Sequence, residues 1–242
     1  MNPLDKTVRH LVIANRILAH EGVVDAYGHV SVRHPQHPDR YLLSRSLSPE
    51  LVEAKDIKTY MLNGDPVEQD GHHPYLERFI HGAIYEARPD VHAVIHSHAD
   101  DVLPFSITRA PLFPVIHTAS DMGAEVPVWD IEDRFGDTNL LVTNVDQGRD
   151  LACCLAHNCT VLMRGHGFTT TGRTLIEAVK AAVYMPRNAR ILMEAGRLGG
   201  EVKPLSKGEI AVRRNVDPES PAMQRAWEYW SRRAGIPPDA QR

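Results

Sequence analysis

The 242-residue chain has little cysteine, few aromatic residues, and no strong excess of charge of either sign. Its three cysteines, Cys153, Cys154 and Cys159, include an adjacent pair and no CxxC spacing, so neither a disulfide framework nor a thiolate zinc site is expected. The helical pattern of ACCLAHNC instead reads as small apolar residues turned to the interior. A net charge of −4 and a pI near 6.4 leave no basic footprint for nucleic acid. The longest apolar runs, such as LLVT and VLM, are far too short to span a bilayer, so no membrane partner is expected. MNPLDKTVRH has no apolar core of a secretory signal, which makes the cytoplasm the expected location. Internal repeats and low-complexity tracts are also missing. The length suits a single domain over 1–242, with a C-terminal extension from about residue 203.

Histidine is abundant, with 14 residues against 5 Phe and 7 Tyr. Hydrophobic periodicity places these residues on elements. Residues 4–20 carry an apolar helical face ending near Gly22. HVSVR (29–33) and YLLSR (41–45) read as strands about a Pro-bearing turn, and NGDP (63–66) reads as a tight turn. A helix is expected over 74–87, with Pro74 in its first turn. HAVIHSH (92–98) has the form of a buried strand that ends in polar residues. NLLVT (139–143) and TVLMR (160–164) read as further strands. Asn144 with Gln147, and Thr174 with Glu177, mark the starts of helices running to about 157 and 198. Pro186 is expected to kink the second.

His96 and His98 are two residues apart, which on a strand turns both rings to one face. His166 follows another apolar strand and lies between two glycines, which permit close backbone approach and an unusual dihedral. Three neutral imidazoles with an open position form a catalytic rather than a structural ligand set. The bland alternative is surface or hydrogen-bonded histidines, and the second motif lowers its weight. Glu77 reads equally as a solvated helix residue or as a carboxylate acting beside a metal.

The run LERFIHGAIYEARPDVHAVIHSHA (76–99), followed by RGHGFTTTGRTLIEAV (164–179), resembles the class II aldolase/adducin family. With GHVSVR, the resemblance covers about residues 5 to 200. It implies one α/β domain with a mostly antiparallel sheet covered by helices, in three layers. It also implies a divalent metal held by His96, His98 and His166, with Glu77 as catalytic carboxylate. Zinc is favoured on ligand type, with Mn²⁺ and Mg²⁺ open. The implied assembly is a homotetramer with active sites between subunits, in which Tyr229 and Trp230 either cover a neighbour's site or pack in the core.

The chain departs from the family's sugar-phosphate enzymes where phosphate is held. Gly28-His29 and Ser44-Arg45-Ser46 replace the Gly-Asn and Thr-Gly elements, and Tyr75 and Leu76 stand where hydroxyl side chains are needed. Thr118 occupies the place of a proton-donating tyrosine. DAYGHVSVRHP (25–35) and RYLLSRSLSPELV (40–52) resemble instead the branch that decarboxylates hydroxy-carboxylates from aromatic breakdown, of the hydroxy-carboxymuconate semialdehyde and 3,4-dihydroxyphthalate types. A small carboxylate substrate follows. Arg45 with Ser44 would grip it, a surface arginine being the alternative. Gly28, Thr118 and Tyr229 are further substrate contacts. Glu77, then His29, are the expected proton donors, His29 on the strength of an imidazole's ordinary titration range. An aldolase acting on an unphosphorylated substrate is the rival activity, and a non-catalytic adducin-like binding module the rival class.

Overall fold

The computed structural model describes residues 2–237. Seven strands form one sheet in the order β3-β2-β1-β4-β7-β6-β5. They are β1 (His29–Arg33), β2 (Arg40–Ser44), β3 (Ile57–Met61), β4 (Ala93–Ser97), β5 (Val128–Trp129), β6 (Thr160–Met163) and β7 (Gly167–Gly172). All neighbours are antiparallel except β5 and β6. The helices are α1 (Pro3–His20), α2 (Arg78–Ala87), α3 (Leu103–Ser106), α4 (Glu132–Phe135), α5 (Val145–Leu155), α6 (Leu175–Arg197), α7 (Lys207–Arg214) and α8 (Pro221–Arg233). Among the described residues no helix is long and apolar enough to cross a membrane.

Alternation along the strands builds a core on each side of the sheet. Val30, Val32, Leu42, Ala93, Ile95, Leu162 and Phe168 pack in the larger core with residues of α1, α6 and α8. Leu43, Val94, Val161 and Met163 turn the other way, under α2 and α5. The period of two thus produces helix, sheet and helix layers, as expected. His29, Ser31 and His96 share parity with Val94 in the pairings His29↔His96 and Ser31↔Val94, which puts them beneath α2.

Local chemistry sets the element ends. The Asn2 side chain accepts from the Asp5 amide with Pro3 opening α1. Asn144 accepts from the Gln147 amide at 3.0 Å and Thr174 from the Glu177 amide at 3.2 Å, so both expected caps are made. The second helix runs through Pro186 to Arg197.

Three expectations are corrected, and one strand is added. Residues 139–143 form no strand, because their backbone groups turn to side chains: the Leu140 carbonyl accepts from His166 and the Val142 amide donates to Glu77. Pro74 lies outside α2, bridged to Arg45, and the helix starts at Arg78. Of the three cysteines only Cys159 is buried, and Cys153 is exposed. The unforeseen β7, GFTTTG, is wholly buried. Its Thr170 and Thr171 hydroxyls meet the Cys159 carbonyl at 3.2 and 3.1 Å, which satisfies them in the interior.

Candidate metal centre

β4 delivers His96 inside the sheet and His98 just past its end. The turn from β6 to β7 delivers His166. Its flanking glycines serve two separate needs. Gly165 holds a φ of 63°, and a Cβ on Gly167 would lie 2.1 Å from the Ser97 carbonyl oxygen. Glu77 sits at the N-terminal boundary of α2 and is buried.

These four side chains converge, each offering a ligand atom within 4.8 Å of the others. His98 Nε2 lies 2.9 Å from His96 Nε2 and 3.0 Å from His166 Nε2. Glu77 Oε2 stands 3.6 and 3.5 Å from those same two nitrogens. The outward nitrogens determine the protonation. His96 Nδ1 donates to the Phe168 carbonyl at 3.1 Å, and His166 Nδ1 to the Leu140 carbonyl at 3.0 Å. Neutral imidazole carries one proton, so both Nε2 atoms present lone pairs inward. Burial favours the neutral form, holding His96 well below the ordinary histidine range and His98 below it too. His98 can offer at most one proton to two such contacts. Converging lone pairs beside a carboxylate need a cation, so the residues present fit a divalent metal.

Behind this cluster His29 is buried, with its ring 5.0 Å from that of His96. Burial, then the neighbouring His81, holds its pKa well below the usual value. The titration expected of His29 is therefore removed: it is neutral at physiological pH. The Tyr75 ring lies against it, tilted by 47° with 4.7 Å between ring centroids, and the tyrosine hydroxyl donates to the Leu47 carbonyl. Ser44 Oγ lies 3.5 Å from that hydroxyl. Arg45 donates Nε to Asp56 at 2.7 Å and is about a third exposed. A Cβ on Gly28 would meet Val24 Cγ1 at 2.7 Å and the His96 carbonyl at 3.0 Å, so this position packs directly against the histidine strand.

Thr118 and Tyr229 lie elsewhere, lining a cavity of about 580 Å³ with Lys180, Arg187 and Trp230, and none of the four converging groups lines it. Tyr229 is exposed, whereas Trp230 packs in the core. The structure thus brings together Glu77, His29, His96, His98 and His166, and leaves Thr118 and Tyr229 apart.

Sequence reasoning missed three side chains joined to His29: His81, Ser31 and Tyr85. The signal was available as Glu77, His81 and Tyr85 recurring every fourth residue along the segment of α2. It also missed Tyr27, exposed to 69% with its ring 6.3 Å from His98.

Known proteins resemble this chain along nearly its whole length. Decarboxylase tropJ of Talaromyces stipitatus is 35% identical, over 95% of this chain and 94% of its own. The 3,4-dihydroxyphthalate decarboxylase of Arthrobacter keyseri is 26% identical, over 83% of each. Among solved structures, an aldolase II superfamily protein from Pseudomonas syringae superposes with a TM-score of 0.79 at 21% identity, covering 97% of this chain and 94% of the other. Residues 9–193 match the model of the class II aldolase and adducin N-terminal domain, so the chain belongs to that family.

Proposed function

We propose that the protein is a metal-dependent decarboxylase of a small hydroxy-carboxylate of the kind produced in aromatic breakdown. The observation that carries this reading is what stands beside the metal centre. Where a phosphate would need donors, the Tyr75 ring packs at a tilt against a neutral His29 with its hydroxyl committed to a backbone carbonyl. Leu76 next to it is apolar and 61% exposed. The names of the two decarboxylase relatives support the same reaction class. Exposed Tyr27 beside His98 suits a flat, unsaturated substrate.

A divalent cation held by His96, His98 and His166, zinc by ligand type, supplies Lewis acidity for the charge left when CO₂ departs. Glu77 accepts the proton of the substrate's hydroxyl and returns it to carbon once CO₂ has left. Its Oε1 accepts from the Val142 amide at 3.0 Å, which leaves Oε2 directed into the site. Arg45 and Ser44 hold a substrate carboxylate. Arg45 follows directly on β2, where Asp56 holds its Nε at 2.7 Å. Gly28 keeps the backbone close to the histidine strand. Thr118 and Tyr229 act from a neighbouring copy in a homotetramer, consistent with their distance from the metal centre within one chain. The working location is the cytoplasm.

The test is anaerobic incubation of metal-reconstituted protein with 3,4-dihydroxyphthalate and with a hydroxy-carboxymuconate semialdehyde, following CO₂ and products. Release of CO₂ that requires both the metal and His98 is expected. No CO₂ from either compound would shift the assignment to an aldolase acting on an unphosphorylated substrate.

A further inference from the structure

Glu77, His81 and Tyr85 form one stripe along α2, and β1 turns His29, Ser31 and Arg33 up against it. The contacts are continuous. His29 Nδ1 lies 2.6 Å from His81 Nε2, and His81 Nδ1 lies 2.6 Å from Ser31 Oγ. Ser31 Oγ lies 2.8 Å from the Tyr85 hydroxyl, and the Arg33 guanidinium covers the Tyr85 ring at 4.8 Å. His29, Ser31, His81 and Tyr85 are each at most 3% exposed.

This chain has a direction. A buried phenol proton without an acceptor costs about 1–3 kcal/mol. Among the described residues, the hydrogen-bond partner of the Tyr85 hydroxyl is Ser31 Oγ. The Tyr85 proton therefore goes to Ser31 Oγ. The Ser31 proton then goes to His81 Nδ1, and the remaining His81 proton, on Nε2, goes to His29 Nδ1. With Nδ1 accepting, the single proton of His29 resides on Nε2. The opposite direction would strand the Tyr85 proton.

We propose that His81, backed by Ser31 and Tyr85, is a positioning residue that holds His29 as its neutral Nε2–H tautomer, an uncharged hydrogen-bond donor to a substrate oxygen rather than an acid that gives up its proton. A neutral imidazole held in this way stabilises developing negative charge without adding a charge of its own. The inference rests on the reading that His29 faces substrate beside the metal centre. It leaves all proton transfer to Glu77, as proposed above.

Long-range ¹H–¹⁵N correlation spectra of ¹⁵N-histidine-labelled, zinc-loaded protein read the tautomer directly. We expect His29 with its proton on Nε2. His81→Phe should lose that preference and lower kcat about 10- to 100-fold with metal content unchanged, since the His81 ring bonds to His29 and Ser31 and not to the four converging groups. His81→Gln, which offers an amide donor to His29 and a carbonyl to Ser31, should restore the tautomer and most of the turnover. The milder Tyr85→Phe should weaken the preference and serves if His81→Phe does not fold. A wild-type His29 protonated on Nδ1 overturns the proposal, as does a folded His81→Phe with unchanged tautomer and kcat. His29→Phe separates the two readings. If it keeps full turnover, the placement of His29 at the substrate fails; if it loses turnover while His81→Phe does not, only the positioning role fails.

Discussion

Each residue of the centre owes its state to the group behind it. His96 and His166 present lone pairs because backbone carbonyls hold their other nitrogens. Replacing His98 by Ala removes the nitrogen between those two, and should abolish tight zinc binding while leaving the circular dichroism spectrum intact. Equilibrium dialysis against zinc, read beside the spectrum, checks both. Burial has a second consequence, in stability. His81 is pushed down to about 3 by desolvation, while an unfolded chain protonates it near pH 6.5. Below about 6.5 the unfolded state binds a proton that the native state refuses, so stability falls as pH drops from there toward about 3. The slope is up to about 1.4 kcal/mol per pH unit for this one group. Urea titrations at pH 7 and pH 5 should show the loss, and His81→Gln should reduce it.

At the scale of elements, the histidine pair and the Gly-His-Gly turn were legible because they follow apolar strands with the period of two. The helix caps at Asn144 and Thr174 were legible for a similar local reason. Residues 139–143 were not, since NLLVT has a strand's composition and only the tertiary site requires its carbonyl and amide. Leu140 reveals this by its φ of 65°, left-handed and unusual for leucine. Leu140→Val, β-branched at that dihedral, should cost at least about tenfold in metal affinity by misdirecting the carbonyl behind His166. Leu140→Asn, which tolerates the conformation, should keep it, and competition with a chromophoric chelator distinguishes them. β7 was hidden because a run of threonines between glycines looks like a loop until the hydroxyls find buried partners. Gly167→Ala should destabilise by about 3 kcal/mol, at the upper end for overpacking, because the new methyl group would meet the Ser97 carbonyl. Thermal unfolding measures it.

Across the whole molecule, the sheet separates a large apolar core from a smaller one that shares its face with the polar centre. Periodicity made both layers predictable. What it could not give was the separation of Thr118 and Tyr229 from the metal centre, since distance along a chain carries no distance in space. If copies of the chain complete each other's sites, Tyr229→Ala should lower turnover at least about tenfold with metal content and secondary structure unchanged. Metal analysis beside steady-state kinetics would detect this, and unchanged kinetics would confine Tyr229 to the surface.

The stripe of α2 over β1 also brings two incommensurate rulers together. Four helical residues advance about 6.0 Å and two strand residues about 6.7 Å. The misfit is about 0.7 Å after one step and 1.4 Å after two. Hydrogen bonds absorb the first, and at the second step Tyr85 keeps its bond to Ser31 at 2.8 Å while Arg33 lies over its ring rather than bonding to it. The polar ladder is thus a vernier that comes into register beside the candidate metal centre and drifts out two steps away. A single residue inserted between Glu77 and Tyr85 would rotate the helical scale by about 100° and dissolve the register, though every side chain of the ladder were still present.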